Sequence, residues 1–226
     1  MLIAEDLLLL LTDDASGRLL VPGDQADAAL GGANLVELTL LGKVDLSGPG
    51  DTGKPGRILV RDPSPPGDDV LGAALQTVLE HQGGKPSTLI RPLSKNLRRG
   101  LYTRLAASGV IRADQDRVLG LFPARRWPAQ DASHETQVRE QLTGALLGHV
   151  APDRRSAALI ALLHALKCEH KVMDMGNWGL SRKQARARAE EIAEGDWASA
   201  AVRKVIQETI AAVAAAVSAA ATAGAG

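Results

Sequence analysis

Two stretches of the sequence are too apolar to lie on the surface of a helical protein. The first follows Asp24, a residue type that favours the start of a helix, and the second runs from Arg154 to Leu166. Apolar side chains in both stretches occupy most sides of a helix, whereas a surface helix carries them in one stripe. Helices of this kind must be surrounded by other elements, so the sequence predicts two buried central helices.

The remaining periodicities predict a mainly α protein in which amphipathic outer helices and two small β-hairpins surround those central helices. We expect one single-domain helical bundle over residues 1–226, with an Ala-rich, frayed tail at 211–226. A short strand is predicted at 18–21. The first hairpin pairs 44–46 with 57–60, and the second pairs 110–112 with 118–122 around a turn at 113–117. Helices are predicted over residues 2–11, 24–38, 68–81, 87–108, 135–149, 153–171, 181–194 and 196–220.

The termini and the cysteine content favour a reducing, intracellular setting. Cys168 is the single cysteine, so the chain forms no internal disulfide and no thiolate zinc cluster. Glu5 and Asp6 stand where a signal peptide would carry positive charge, and the Ala-rich run 210–219 is too short to span a bilayer. With 18 Arg against 8 Lys and abundant Ala and Gly, the composition suggests a bacterial protein. We expect it in the cytoplasm, on the inner face of the membrane.

Charge is distributed unevenly along a chain whose formal net charge is zero. The segment from Arg91 to Arg126 holds nine basic and two acidic residues, so it carries +7 and the rest of the chain carries −7. Overall charge therefore excludes nonspecific adhesion to nucleic acid or membrane, but it allows binding at one face. Only five aromatic residues are present, which argues against RNA-binding modules that stack several bases.

The predicted helix over 87–108 is amphipathic and carries a basic outer side. Lys95 and Arg98, three residues apart, can converge on one small anion, and Arg91 and Arg99 gather on the same face with Tyr102. Arginine offers a planar fork for phosphate oxygens and lysine a compact charge. These residues are therefore candidates for an anion site; a solvated, Arg-rich helix face is the alternative interpretation.

A second candidate surface follows the second hairpin and mixes apolar, ring and arginine side chains, as segments that dip into a membrane interface do. Phe122 and Trp127 also fit a buried position in the core, and both interpretations remain open at this point. The candidate membrane-contact residues are Leu121, Phe122, Arg125, Arg126 and Trp127.

The other candidate motifs are better explained by packing than by a functional site. His164 and Cys168 are four residues apart and could share a metal, but core packing is the favoured interpretation. Gly31 and Gly32 lie inside a helical pattern, where close helix packing is favoured over phosphate binding because no strand and no spaced third glycine frame them. No motif for a metal, a nucleotide or a catalytic group emerges, so we expect a protein without enzymatic activity, metal or cofactor.

Several segments together resemble the Golgi phosphoprotein 3 family, in the order in which that family has them and over nearly the whole chain. Each motif is unspecific alone, whereas the ordered set is fairly specific. The resembling segments are Ala4-Glu-Asp-Leu-Leu-Leu-Leu-Leu, Leu35-Val-Glu-Leu-Thr-Leu-Leu-Gly-Lys-Val, Gly67-Asp-Asp-Val-Leu, Leu97 to Ile111, and Asp153-Arg-Arg with Ala158-Leu-Ile-Ala-Leu-Leu-His-Ala.

The resemblance implies a mainly helical protein that binds phosphatidylinositol 4-phosphate at a membrane surface. The family's two headgroup-binding basic residues on the helix before the Gly-Val-Ile turn correspond to Lys95 and Arg98, and its membrane-contacting hairpin to residues 118–127. The family also uses a tryptophan and an arginine ahead of the Leu-Val-Glu-Leu segment. Those positions are held here by about Pro22 and Gly31, so this chain departs from the family there.

Three functions fit these observations. The first is a non-enzymatic peripheral membrane protein that binds an anionic phospholipid headgroup, such as phosphatidylinositol 4-phosphate, through the basic helix and the adjacent hairpin. The second is a winged-helix-like DNA-binding protein, because a basic helix followed by a basic hairpin also describes that module. The third is a scaffold that binds peptides through an acidic groove. We favour the first, in which the partners are the lipid and possible further copies of the chain rather than nucleic acid.

Overall fold

The computed structural model describes residues 1–226 except 49, 53, 119–121, 174–178, 196 and 224–226. Two hairpins lie within this part of the chain, β1 (Val44–Leu46) with β2 (Ile58–Val60) and β3 (Asp114–Val118) with β4 (Phe122–Arg126). The described helices are α1 (Ile3–Leu10), α2 (Gly23–Leu40), α3 (Asp69–Glu80), α4 (Pro86–Ser94), α5 (Leu97–Ala107), α6 (Ser133–Leu146), α7 (Arg154–Ala165), α8 (Glu169–Val172), α9 (Arg182–Glu194) and α10 (Ala200–Ala223). The predicted mainly α architecture is confirmed.

The two central helices are α2 and α7. Helix α2 packs against α1, α4, α7 and α10, and its side chains from Ala28 to Thr39 are all buried. Helix α7 is buried from Ser156 to Leu163 and contacts α2, α6, α9 and α10. Both helices therefore lie where their all-round apolar pattern predicts, because neighbours cover every side.

Gly31 and Gly32 let two helices approach α2 closely from different sides. A Cβ atom at Gly31 would lie 2.6 Å from the backbone oxygen of Ile90 in α4, and one at Gly32 would lie 2.4 Å from Cγ2 of Val213 in α10. Neither distance accommodates a carbon atom. The predicted role of this glycine pair in helix packing is confirmed.

Replacing Gly31 with alanine should destabilise the protein even though alanine favours helix. The added methyl group meets the α4 backbone, which cannot rotate away, and overpacking of this kind costs about 1–3 kcal/mol. In the matched control Gly100→Ala, the added Cβ in α5 has nothing within 4 Å, so helix propensity should raise the stability by up to about 1 kcal/mol. Urea unfolding of both variants checks this; equal effects would contradict the close approach of α4.

Buried carboxylates tie helix α1 to its neighbours. Glu5 and Asp6 are only 3% and 2% exposed within an otherwise apolar helix. Arg104 in α5 binds Glu5 with Nε 2.9 Å from Oε1, and Arg155 in α7 binds Asp6 with Nη2 2.7 Å from Oδ2. Nε2 of His134 in α6 lies 2.8 Å from the other oxygen of Asp6. The acidic pair thus joins α1 to three other helices.

The single helix predicted over 87–108 is wrong, because the chain divides it into α4 and α5. Lys95 leaves helical geometry with ψ 118°, and Asn96 adopts the left-handed conformation with φ 58°. Asparagine is one of the few residue types that enter this region readily. Pro92, which offers no N–H to the helical ladder, lies inside α4, and the helix continues past it to Ser94.

The second hairpin lies further along the chain than predicted. Residues 114–118, most of them assigned to the turn, form strand β3, and Asp114 pairs with Arg126 while Val118 pairs with Phe122. Pro123, the residue directly after the predicted second strand, lies inside β4. A two-stranded hairpin has only edge strands, which tolerate proline. The predicted strand at 18–21 is reduced to one bridge, between Thr12 and Leu19.

The C-terminal helices also differ from the prediction. The helix predicted over 153–171 ends at Ala165, and Lys167, with φ 53°, separates it from α8. The segment expected to fray is helical as far as Ala223, and Val213 and Val217 are buried against the core. Small alanine side chains permit this close packing, and residues 224–226 of the predicted tail lie outside the described residues.

Helix α10 has the length and apolar composition of a membrane-spanning helix from Ala200 to Thr222, with a mean hydropathy of 1.5. It packs against α2, α4 and α7, and Val205, Ile206 and Val213 are almost fully buried. Helices that belong to the core of a soluble protein meet the same criteria of length and composition.

Candidate functional site

A cavity of about 620 Å³ opens where the N-terminal turn, the start of α2, the α4–α5 junction and the base of the second hairpin meet. Three arginines and one aspartate line it, so we call it the basic cavity. Its lining residues are Gly17, Arg18, Leu19, Asp27, Ser94, Asn96, Arg98, Arg99, Tyr102 and Trp127.

The break between α4 and α5 presents Arg98 and Arg99 to this cavity. The guanidinium of Arg98 lies against the first turn of α2, where a Cβ at Gly23 would be 2.8 Å from Nη1. Its Nε is 3.0 Å from Oδ1 of Asp27, and both side chains are about one-third exposed. Partial burial raises the pKa of Asp27, and the charge of Arg98 opposes that shift. Arg99 is exposed at the cavity edge and forms no ion pair with residues that the structure describes.

Arg18 comes from a tight turn that sequence reasoning did not assign to the site. The N–H groups of Ser16 and Gly17 donate to the side chain and the carbonyl of Asp13, each at 2.8 Å. The Asp13 N–H donates to the carbonyl of Arg18, also at 2.8 Å. The hydrogen bonds from Ser16 lower the pKa of Asp13, so its carboxylate stays charged and holds the turn. An Asp-x-x-Ser-Gly turn is a recognisable signal, but only the fold shows that Arg18 lines the same cavity as Arg98.

Two stacked rings form the wall of the basic cavity next to the hairpin. The ring centroids of Tyr102 and Trp127 are 4.9 Å apart and their planes differ by 4°. The hydroxyl of Tyr102 lies 2.9 Å from Oγ1 of Thr12, and burial raises the pKa of this tyrosine. Tyr102, placed by the helical pattern on an outer basic face, is therefore buried and connects α5 to the hairpin.

The structure does not bring Lys95 and Arg98 into one cavity. Lys95 lines a separate cavity of about 310 Å³ beside α3, together with Asn34 and Asp69 among others. Arg91 is exposed on α4. Neither Arg91 nor Lys95 forms an ion pair within the described part of the chain. Neither residue lines the basic cavity.

The predicted membrane-contact segment is described only in part. Leu121 lies outside the described residues, and so do the side chains of Phe122 and Arg125, although β4 runs from Phe122 to Arg126. Arg126 is half-buried, and so is Trp127 in its stack on Tyr102. The backbone N–H of Trp127 donates to the carbonyl of Gly17 at 3.2 Å, which joins the hairpin base to the turn that carries Arg18.

Pro22 and Gly31, where the resembling family has a tryptophan and an arginine, do not line the basic cavity. Pro22 precedes the first turn of α2, and Gly31 faces the α4 backbone. A long side chain at position 31 would require α4 to move. In this chain the additional positive charge of the cavity comes from Arg18.

His164 and Cys168 have partners that leave little capacity for a metal. Nδ1 of His164 lies 2.8 Å from Oε1 of Glu169. Cys168 is buried, and burial raises the pKa of its thiol to about 12, which disfavours the thiolate that a metal requires. No cluster of three His, Cys, Asp or Glu residues suited to a metal occurs in the part of the chain that the structure describes.

Gly17→Ala should weaken the contact between the turn and the hairpin. Gly17 has φ +62°, and an added Cβ would lie 2.2 Å from the backbone nitrogen of Trp127. The left-handed conformation costs a side chain about 1–2 kcal/mol and overpacking adds about 1–3 kcal/mol. At Gly42, with φ +71° and nothing within 4 Å, alanine should cost only the conformational part. Thermal unfolding compares them; equal losses would show that the hairpin base is not fixed by Gly17.

Glu135 should make stability depend on pH near the same turn. Burial, together with the neighbouring Asp14 carboxylate, raises its pKa from 4.5 to about 7, although Arg139 opposes the shift. The folded state therefore keeps a proton that the unfolded state releases. The contribution of the protonated form is complete below pH 4.5 and disappears as the pH rises through about 7.

The Glu135→Gln variant should accordingly lose less unfolding free energy than the wild type between pH 4.5 and pH 7. Glutamine stays neutral and still accepts a hydrogen bond from Arg139. Denaturant unfolding across this range measures the difference, and Glu140→Gln, which changes an exposed residue of α6, is the control. Parallel curves for the wild type and Glu135→Gln would contradict the raised pKa.

Comparison with known proteins gives one family. The family model described as Golgi phosphoprotein 3 (GPP34) matches residues 3–209, which include every residue lining the basic cavity. A search of curated proteins finds no significant match.

Proposed function

Because the chain belongs to the Golgi phosphoprotein 3 family, we propose that it is a peripheral membrane protein whose basic cavity binds the phosphate of an anionic phospholipid. The observation that carries this proposal is the convergence of Arg18, Arg98 and Arg99, from two separate parts of the chain, on one open cavity. Guanidinium groups bind phosphate oxygens through paired, charge-assisted hydrogen bonds. Phosphatidylinositol 4-phosphate and simpler anionic phospholipids both present such oxygens.

The surroundings of the cavity suit a membrane surface. Lys95 stands between Ser94 and Asn96 of the cavity lining in the sequence, and Arg91 precedes them on α4. Both side chains are exposed and would attract an anionic bilayer without contacting one particular headgroup. Trp127, which directly follows β4, lines the cavity, so the same approach would bring the hairpin of β3 and β4 to the interface. We propose that Leu121, Phe122, Arg125 and Arg126 contact the membrane there, on its cytoplasmic side, and that the protein acts by binding rather than catalysis.

A double variant tests the cavity. Arg18→Gln with Arg99→Gln removes two exposed charges that have no ion-pair partner among the described residues. Each basic residue near an anionic surface contributes on the order of 1 kcal/mol, so vesicle binding should fall by about tenfold or more. Co-sedimentation with phosphatidylcholine vesicles, with and without phosphatidylglycerol or phosphatidylinositol 4-phosphate, measures it at low salt.

The matched control is Arg182→Gln with Arg186→Gln, two exposed arginines on α9 that do not line the cavity. Its loss of binding should be much smaller. No binding of the wild type to any anionic vesicle, or equal losses in both double variants, would overturn the proposal. Tight, salt-sensitive binding to duplex DNA with none to vesicles would favour the winged-helix alternative instead.

A further inference from the structure

One carboxylate lies among the arginines of the basic cavity, although a carboxylate weakens the binding of a bare phosphate. Asp27 lines the cavity beside Arg98 and is 34% exposed. A negative group repels an incoming phosphate, and it also neutralises part of the charge that Arg98 offers. A cavity that binds only phosphate would have a higher affinity for it with a neutral residue at this position.

The ion pair with Arg98 does not use all the hydrogen-bonding capacity of Asp27. Oδ1 is 3.0 Å from Nε, whereas Oδ2 is 3.4 Å from Nη2, a long contact. An ionised carboxylate has about four acceptor positions. At least two of them therefore have no close donor among the residues that the structure describes, and the exposed part of the side chain borders the cavity.

Neutral hydrogen-bonding groups and ring surfaces lie around the same cavity. The side chain of Asn96 is exposed at the α4–α5 junction, and the Ser94 hydroxyl donates to the carbonyl of Arg91, which leaves its oxygen able to accept. The stacked Tyr102 and Trp127 provide a flat wall. Cations for phosphate, acceptors for hydroxyl groups and a ring wall together match the chemistry of a phosphorylated polyol.

We infer that Asp27 determines which anionic headgroups the basic cavity prefers: it accepts a hydrogen bond from a headgroup hydroxyl while the arginines bind the phosphate. The inference rests on the proposed function, because it takes the ligand to be an anionic membrane lipid. Asp27 is then a residue that determines specificity: it weakens binding of bare anionic phosphates and favours those with a hydroxyl within reach.

Two lipids of equal charge separate this role from simple electrostatics. Phosphatidylglycerol and phosphatidylmethanol each carry one negative charge on a phosphodiester, but only the first has headgroup hydroxyls. The wild type should bind phosphatidylglycerol vesicles about tenfold more tightly, the effect of one hydrogen bond to a charged group. Asp27→Ala should bring this ratio close to one and strengthen binding to phosphatidylmethanol.

The control for charge is Asp24→Ala, which removes an exposed carboxylate one turn earlier on α2, outside the cavity lining. It should strengthen binding to both vesicles equally and keep the wild-type ratio. Circular dichroism establishes that both variants fold, and Asp27→Leu, with a side chain of similar shape and no hydrogen-bond acceptor, replaces Asp27→Ala if that variant does not fold. A ratio near one in the wild type, or an unchanged ratio in the Asp27 variant, would overturn the inference while leaving anionic lipid binding intact.

Soluble glycerol 3-phosphate distinguishes the source of the ligand. Binding measured by calorimetry, lost in Asp27→Ala and accompanied by vesicle binding, supports a lipid headgroup. Asp27-dependent binding without any vesicle binding would uphold the polyol chemistry but overturn the membrane proposal. If Asp27→Ala still binds vesicles with the wild-type ratio between phosphatidylglycerol and phosphatidylmethanol, the membrane proposal is upheld and the role of Asp27 is overturned.

Discussion

The fold depends on how the two carboxylates of α1 are satisfied inside the core. An unpaired buried charge costs several kcal/mol, so Glu5 and Asp6 can be buried only if other helices bring cations to them. Arg104 and Arg155 do so from α5 and α7, and Arg155 also reaches Glu37 of α2, with Nη1 3.3 Å from Oε1. Glu37 in turn accepts a hydrogen bond from the backbone N–H of Ile3 at 2.7 Å. Four helices are thereby placed relative to one another.

This network also positions the basic cavity. Arg104 binds Glu5 on one side and Asp68, the N-cap of α3, on the other, with Nη2 2.6 Å from Oδ2. Because Arg104 lies on α5, its ion pair with Glu5 anchors α5 to α1. This anchoring fixes the direction in which the side chains of Arg98 and Arg99 project from the same helix. Part of the basic segment thus neutralises acidic residues of the protein itself, and only part of its seven-charge excess is available to a ligand.

The predictable parts of this structure are those that depend on local pattern. All-round apolar stretches identify α2 and α7 as central, the glycine pair marks a close approach, and Asp68 caps α3 by accepting the N–H of Val70 at 2.9 Å. Charge counts from the sequence do not distinguish a solvated arginine from one that neutralises a buried acid. They therefore predict a basic face but not which of its members, Arg98, Arg99 or Arg104, faces a cavity or the core.

The α4–α5 break was not predictable from periodicity, because the apolar stripe continues across Asn96 as if one helix were present. It matters for the site, since a continuous helix would keep Lys95 and Arg98 on one face, whereas the break sends them to different cavities. The approach of α4 to Gly31 then leaves no room for a cation on that part of α2. A third positive group must come from elsewhere, and the turn held by Asp13 supplies Arg18. The charge of the cavity is thus a tertiary property, assembled from segments some 80 residues apart in the sequence.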